Sequence, residues 1–326
     1  MVDLGFLLKT YNGDYHRAVK LVGSYTQYNV DRIPLFIVCP KNDIELFSIL
    51  KGDGISIVPE EEIYSNVFTE DGKMSMGYLN QEIYKLAFWE TGLCANYMCI
   101  DSDALFIRPF SKWEFMYDDE TPYTSLEEDN DLRADHYYNK QYWNSRREWI
   151  SKIEDEMDFH PHHLLTCHGF QIFSSKVLKS LKEDFMKLKG YDYKDLIRIS
   201  PYEFSWYNLW LQKTNVIEIH QIECLFKCFH LKQHHIEYAL SGMRLEDWAK
   251  GYIGIIVNSN YGVGEGDYYD LSVYNRDNAG IPDEIIDQNY NFYKRLRKGR
   301  VKRKGFSFLL MFKSRLMGVM AHVRRE

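Results

Sequence analysis

The sequence lacks several patterns that would point directly to a common class of protein. No G-x-G-x-x-G follows its first apolar segment, which disfavours a dehydrogenase, and no G-x-x-x-x-G-K-[ST] is present, which disfavours a P-loop nucleotidase. Its six cysteines form no C-x-x-C pair, so a zinc module is not indicated. No apolar run approaches the length of a membrane span, and no charged-then-apolar segment opens the chain. We therefore expect a protein of the reducing cytoplasm without a membrane-spanning helix.

Charge is distributed unevenly along the 326 residues. The net charge is −7, but residues 294–326 hold twelve Lys and Arg and one acidic residue, so this segment carries +11 and the remainder −18. An apolar stretch, 306–312, lies inside the same segment. Basic residues beside bulky apolar ones are typical of segments that dock on an anionic bilayer. A terminal helix packed on the body is the alternative, and the apolar stretch argues against nucleic acid.

Short apolar runs alternate with helical spacing near the start of the chain. Residues 4–8, 33–39 and 55–58 predict strands, and residues 15–28 predict a helix. This alternation favours an α/β fold with a parallel sheet and helices on both faces. Thr10 and Tyr11 lie in the first turn between strand and helix, where free N–H groups attract anions, so we expect them at a bound nucleotide.

Two carboxylates mark the centre of the predicted site. Asp101 and Asp103 directly follow the apolar run 97–100, with Ser102 between them. A buried, unpaired carboxylate costs several kcal/mol, and ligands of α/β proteins bind at the carboxyl ends of the strands. We therefore predict that Asp101 and Asp103 hold a divalent metal, which in turn holds a diphosphate beside Ser102. A bare D-x-D is more often a turn or a helix cap; the flanking apolar runs favour the metal.

The helix predicted at 77–89 leads into this strand. Gln81 and Lys85 are four residues apart and share one face of it. We expect both at the donor, with Lys85 directed to the phosphates near Asp101. A solvated lysine is the alternative.

Residues 117–162 are polar and acidic, and the segment is too long for an ordinary loop. We predict an insertion that contains a short helix at 143–156 and serves as a flap over the acceptor. His168 and Gly169 then interrupt the sheet-like run 164–173. Because glycine permits close approach of a ligand, both are predicted at the acceptor.

Ser200, Pro201 and Glu203 occupy the positions of a helix cap, a first helical residue and a capping box. This pattern gives Glu203 a sufficient structural role. A carboxylate close to Trp206 is also what a general base beside a sugar would look like, and position alone does not decide between the two. Trp206 is expected at the acceptor.

His230 and Lys232 come after a strand predicted at 216–219. A single histidine after a strand is more often structural. Together with Asp101 and Asp103, His230 could complete a metal shell, and Lys232 is expected near the same phosphates.

Taken together, these stretches resemble GT-A-fold glycosyltransferases. They are particularly similar to bacterial capsule and lipopolysaccharide transferases that read Q-x-x-x-K-L and then D-x-D-x-x-F-x-R-P-F, which correspond here to 81–86 and 101–110. Residues 8–11 and 200–207 are also similar, and the resemblance spans about residues 4–235. Pro201 departs from the pattern, because the group has an acidic residue before Tyr-Glu; this leaves Glu203 as the candidate base.

The resemblance implies an α/β, GT-A-like, Rossmann-type mixed sheet flanked by helices. It implies a nucleotide-sugar donor and Mn²⁺ or Mg²⁺ on Asp103, with Asp101 on the metal, its bound water or the ribose, and His230 as a later ligand. The partner would be a glycan or a lipid-linked acceptor, and we expect the protein to be cytoplasmic and peripheral on the inner face of the plasma membrane. If the transfer inverts the anomeric centre, Glu203 is the base; if it retains, Glu203 only positions the acceptor.

We expect residues 1–290 to form the catalytic domain and residues 291–326 a basic, amphipathic, membrane-associating tail. The second hypothesis is a non-catalytic protein on the same fold that binds nucleotide sugars or glycans. A metal-dependent phosphoesterase is the third, and it would need more carboxylate and histidine ligands than the sequence offers.

Overall fold

The computed structural model describes residues 1–126, 143–161, 170–229, 240–258 and 282–296, together with Tyr238 and Lys298. The chain divides into two compact units, Met1–Gly280 and Ile281–Glu326. In the second unit, residues 283–296 are helical, so the predicted boundary at 290 falls within a helix and stays a prediction. The basic tail beyond 298 lies outside the described residues.

The strands within the described residues are these: β1 Val2–Lys9, β2 Leu35–Cys39, β3 Ile55–Pro59, β4 Cys94–Ile100, β5 Ala104–Phe106, β6 Thr124–Ser125, β7 Phe170–Ser174, β8 Gln221–Ile222, β9 Phe226–Phe229 and β10 Gly254–Val257. The helices of the first unit, over the same residues, are α1 Tyr15–Tyr28, α2 Ile44–Phe47, α3 Met76–Ala87, α4 Asn144–Met157, α5 Ser175–Ser180, α6 Tyr193–Ile199, α7 Glu203–Thr214 and α8 Leu245–Trp248. Helix α5 continues through a π-helical stretch, Leu181–Met186, into a last turn, Lys187–Lys189.

The central sheet has the spatial order β3-β2-β1-β4-β7. Its first four strands are parallel and β7 runs antiparallel to β4, so the predicted α/β mixed sheet is confirmed. Strand β1 lies in the middle and buries Phe6, Leu7 and Leu8 in succession. This near-continuous apolar run is what a strand covered on both faces requires.

A second sheet of three strands has the order β5-β10-β9, with β5 antiparallel and β9 parallel to β10. Strands β6 and β8 form a separate parallel pair. Asp101–Asp103 therefore connects the end of β4 in the first sheet to the start of β5 in the second.

Most predicted elements of the first half are present, and the helix predicted at 143–156 corresponds to α4. The helix predicted at 77–89 is α3, and its first turn is capped by Ser75, whose side chain accepts a hydrogen bond from the Tyr78 N–H at 3.3 Å. In the described part of the chain, no helix combines the length and the apolarity that a bilayer crossing needs.

Two predictions for the second half were wrong. Helix α7 begins at Glu203 with Tyr202 at its N-cap, and Ser200 instead ends α6, donating its N–H to the Leu196 carbonyl at 2.9 Å. The predicted capping box is absent because Glu203 is the first residue of the helix rather than the third, and its side chain bonds to Lys85 instead. The strand predicted at 216–219 is not formed; the chain pairs a few residues later, in β8 and β9.

Candidate functional site

The polar residues that follow β1 and β4 meet at one edge of the central sheet. Leu8 of β1 pairs in register with Ile100 of β4, so Lys9 and Thr10 lie beside Asp101. The carboxyl ends of parallel strands form the usual ligand edge of an α/β sheet. The structure thus brings together the first turn and the D-x-D segment.

The backbone of the D-x-D segment is held at both ends. The Asp101 carbonyl accepts a hydrogen bond from the Ala104 N–H at 3.1 Å, and the Asp103 carbonyl accepts one from the Val257 N–H of β10 at 3.0 Å. Ser102 is buried, whereas the Asp101 side chain is 38% exposed and Asp103 is half-buried. The two carboxylates are therefore within reach of solvent on a backbone that both sheets fix.

Lys85 lies behind this segment in a buried ion cluster. Its Nζ is 2.9 Å from Glu203 Oε1, 3.3 Å from Asp101 Oδ1 and 3.3 Å from Glu82 Oε2. The ring of Phe204 covers the same ammonium at 5.0 Å. Lys85 is buried, so the structure places it on Asp101 rather than in open contact with a donor phosphate, which corrects the role predicted for it.

Burial and charge shift the ionisation of this cluster. Burial opposes the charged form of Lys85, but Asp101, Glu203 and Glu82 outweigh it and hold its pKa well above the ordinary value. Burial also opposes ionisation of Glu203, yet its pKa is lowered, chiefly by Lys85. The pKa of Glu82 is raised well above its ordinary value, first by burial and then by the charge of Glu203.

Glu82 is a residue that our sequence reasoning missed. It sits three residues before Lys85 on α3 and is 2% exposed. A carboxylate at that spacing from a lysine suggests at most a surface pair. The burial of α3 against the sheet is what makes Glu82 part of a buried cluster rather than of a surface pair.

The turn that follows β1 places further polar groups at the same edge of the sheet. Thr10 is buried, and its N–H donates to the Val38 carbonyl at 2.9 Å. The Asn12 N–H and its Nδ2 donate to Asp43 Oδ2 at 2.8 and 2.9 Å. Tyr11 is 50% exposed and covers Gly13 so closely that a side chain at that position would overlap its ring. Its exposed ring suits stacking with a base or a sugar.

The remaining predicted residues differ in their placement. Gln81 is half-buried on α3. Trp206 is fully buried, and its indole Nε1 donates to the Ser200 carbonyl at 2.9 Å. Its prediction as an acceptor contact was wrong for that reason: it packs in the core. The predictions for His168, Gly169, His230 and Lys232 lie outside the described residues.

The oxygen ligands at this edge of the sheet fit a hard divalent cation. Asp101 and Asp103 supply carboxylate oxygens, the ligand type that Mg²⁺ and Mn²⁺ prefer. Among the described residues, no three His, Cys, Asp or Glu side chains cluster as a metal shell.

Solved structures with a similar fold are GT-A-type glycosyltransferases. An active-site variant of LgtC matches with a TM-score of 0.50 at 13% identity, over 87% of this chain and 98% of that chain. WbbM, a bifunctional glycosyltransferase, gives 0.49 at 9% identity over 88% of this chain and 52% of its own. Mouse xyloside xylosyltransferase 1 gives 0.44 at 10% identity over 79% of this chain and 99% of its own. The match to LgtC shows that the fold is GT-A-like.

Curated protein sequences gave no match to this chain. One family model does match, over residues 2–241, and it is described as a family of unknown function, DUF6492. The match takes in the central sheet, the D-x-D segment and the Lys85 cluster. The chain therefore belongs to the family of unknown function DUF6492.

Proposed function

We propose that this protein is a metal-dependent glycosyltransferase, which moves a sugar from a nucleotide-sugar donor to a glycan or lipid-linked acceptor in bacterial surface polysaccharide synthesis. One observation carries the proposal: Asp101 and Asp103 lie at the ligand edge of a GT-A-like sheet, beside Thr10 of the first turn. The bacterial role is supported by the D-x-D-x-x-F-x-R-P-F stretch and its resemblance to capsule and lipopolysaccharide transferases.

Within this proposal, the predicted site residues fall into three groups, which bind the metal, the nucleotide-sugar donor and the acceptor. Asp103, with Asp101 and His230, would hold Mn²⁺ or Mg²⁺, and that cation would stabilise the negative charge of the leaving diphosphate. Thr10 and Tyr11 would contact the nucleotide. Gln81, Ser102 and Lys232 would complete the donor site, and His168 with Gly169 would face the acceptor.

Glu203 as a general base stays a prediction. Its lowered pKa keeps it ionised at neutral pH, as a base must be. Its side chain, however, is only 8% exposed and bonds to Lys85. The geometry is thus as compatible with a retaining transfer, which needs no dedicated base, as with an inverting one.

The basic tail is proposed to bring the enzyme to the anionic inner face of the plasma membrane, where a lipid-linked acceptor would lie. The +11 charge of residues 294–326 supports this, at about 1 kcal/mol per basic residue close to such a surface. Removal of residues 299–326, which hold eight of the twelve basic residues, should strongly weaken sedimentation with vesicles that contain phosphatidylserine. Unchanged sedimentation would contradict the proposal.

The activity is tested with a panel of nucleotide sugars and MnCl₂, read by thermal shift and by release of the nucleoside diphosphate. Asp103→Ala should lower turnover about 100-fold or more, because the metal supplies several kcal/mol of charge stabilisation. Asp53→Ala, which changes a carboxylate with 91% exposure far along the chain from this segment, is the matched control. Full turnover by Asp103→Ala, or by wild type with the metal chelated, would refute the proposal. Binding of a nucleotide sugar by wild type without turnover would instead support a binding protein on this fold.

A further inference from the structure

Three carboxylates converge on one ammonium behind the D-x-D segment. Glu82, Lys85 and Glu203 are all buried, while Asp101 reaches solvent. Of these four residues, Asp101 is therefore the one through which the cluster meets the predicted ligand site. Glu82 and Lys85 come from α3 and Glu203 from the first turn of α7, so two helices fix one strand end.

Charge balance limits which of these carboxyl groups ionise. A single ammonium does not fully compensate Glu82 and Glu203, the two carboxyl groups that are removed from water, and like charges in one buried site favour the form in which one group keeps its proton. Glu82 is the group that keeps it. It is the most deeply buried of the three. Its carboxyl group also shares a hydrogen bond with the Glu203 side chain, which raises the pKa of Glu82 and lowers that of Glu203. Glu203 and Asp101 lie 2.9 and 3.3 Å from the Lys85 ammonium.

The surroundings of Glu203 are those of a structural anion. Its Oε1 holds the Lys85 ammonium at 2.9 Å, and the next residue, Phe204, covers that ammonium. A base would have to reach an acceptor hydroxyl at hydrogen-bond distance. In this structure the carboxylate of Glu203 forms an ion pair with Lys85 inside the protein.

We infer that Glu82 and Glu203 are positioning residues: they fix the ammonium of Lys85, which in turn holds the Asp101 carboxylate at the sheet edge, and Glu203 is not the base of the reaction. This inference rests on the proposed function. It assigns Lys85 to Asp101 rather than to a donor phosphate. It also places the effect of Glu203 on the reaction entirely in its contact with Lys85.

The decisive experiment is a double-mutant cycle with Lys85→Met, Glu203→Gln and the double variant. Turnover is measured with MnCl₂ and the nucleotide sugar that wild type uses fastest. If Glu203 acts only through Lys85, the double variant should turn over within about threefold of Lys85→Met, because residues of one contact network are not additive. A general base contributes about 100-fold or more by itself, so a double variant slower than Lys85→Met by that factor would overturn the inference.

The pH dependence of turnover gives an independent reading. Whatever fall in kcat wild type shows towards acid pH should persist in Glu203→Gln, because the group that titrates there is a different one. Loss of that acidic limb in Glu203→Gln would identify Glu203 as the base and refute the positioning role.

Thermal unfolding separates this inference from failure of the proposed function. Lys85→Met removes one partner of the ion pair and leaves the Glu203 carboxylate buried without its cation, whereas the double variant removes both charges of the pair. The double variant should therefore unfold at a higher temperature than Lys85→Met, whether or not the protein transfers a sugar. A lower unfolding temperature would refute the pairing. A wild-type protein that binds neither MnCl₂ nor any nucleotide sugar would refute the proposed function and leave the pairing to be judged by unfolding alone.

Discussion

Replacement of Glu82 by glutamine should make the protein more stable than wild type, by an amount that grows with pH. The amide has the shape of a protonated carboxyl group but does not titrate. Glu82 is 2% exposed and its pKa is raised well above 4.5, first by burial and then by Glu203. The folded protein therefore binds a proton on Glu82 at a pH where the unfolded chain has lost it.

The sign follows from this difference in proton binding. A group whose folded pKa is raised contributes stability that is fully present below its unfolded pKa and is lost as the pH rises through the folded pKa. For Glu82 that window starts near 4.5 and extends upward. Within it, wild type loses about 1.4 kcal/mol per pH unit relative to Glu82→Gln. The advantage of the variant should therefore be larger at about pH 7 than at about pH 5.5.

Urea unfolding at these two pH values, followed by the fluorescence of the seven tryptophans, measures the change. Glu203 has a lowered pKa, and its contribution is present above its ordinary pKa and lost as the pH falls. Because the pKa of Glu203 is lowered, Glu203 stays ionised in both proteins between about pH 5.5 and pH 7, so the pH dependence in this range reports on Glu82. An advantage of Glu82→Gln that is the same at both pH values would show that Glu82 is ionised in the folded protein and would refute the charge balance of the cluster.

Two further changes test the packing around the site. Trp206→Phe should lower the free energy of unfolding, measured in urea, by about 2 kcal/mol, because it removes buried volume and the hydrogen bond to the Ser200 carbonyl. The KM for the acceptor should stay unchanged. A raised acceptor KM with unaltered stability would show that Trp206 contacts the acceptor after all. Lys9→Met should lower the free energy of unfolding by about 2 kcal/mol, because the Lys9 ammonium lies 2.8 Å from the largely buried Glu60 carboxylate. Adding Glu60→Gln should recover part of this loss. A double variant less stable than Lys9→Met would show that the pair contributes nothing.

The sequence was sufficient for the central part of this fold because its patterns there are local. The apolar runs that became β1, β2 and β3 are short and bounded by turn residues, and the helical spacing of α1 and α3 is regular. The carboxylates after β4 could be placed at the ligand edge because parallel strands end together. Each of these inferences needed only neighbours along the chain.

The cluster behind the edge could not be predicted in the same way. Glu203 is 118 residues from Lys85, and nothing in its own segment shows that it turns away from the helix start towards α3. The capping-box pattern even suggested a different partner for it. Trp206 was misjudged for a related reason: an aromatic residue near a carboxylate looks alike in a core and in a sugar site until its burial is known.

The connection between the two sheets has a consequence for the spacing of the carboxylates. Phe106, two residues after Ala104 on β5, is fully buried and stacks on Phe110 with ring centroids 4.3 Å apart. A strand that slips by one residue turns its side chains to the opposite face. One extra residue between Asp101 and Asp103 would thus either expel Phe106 from its aromatic neighbours or bulge the turn. The packing of a phenyl ring on β5, outside the turn itself, therefore favours a single residue between the two carboxylates.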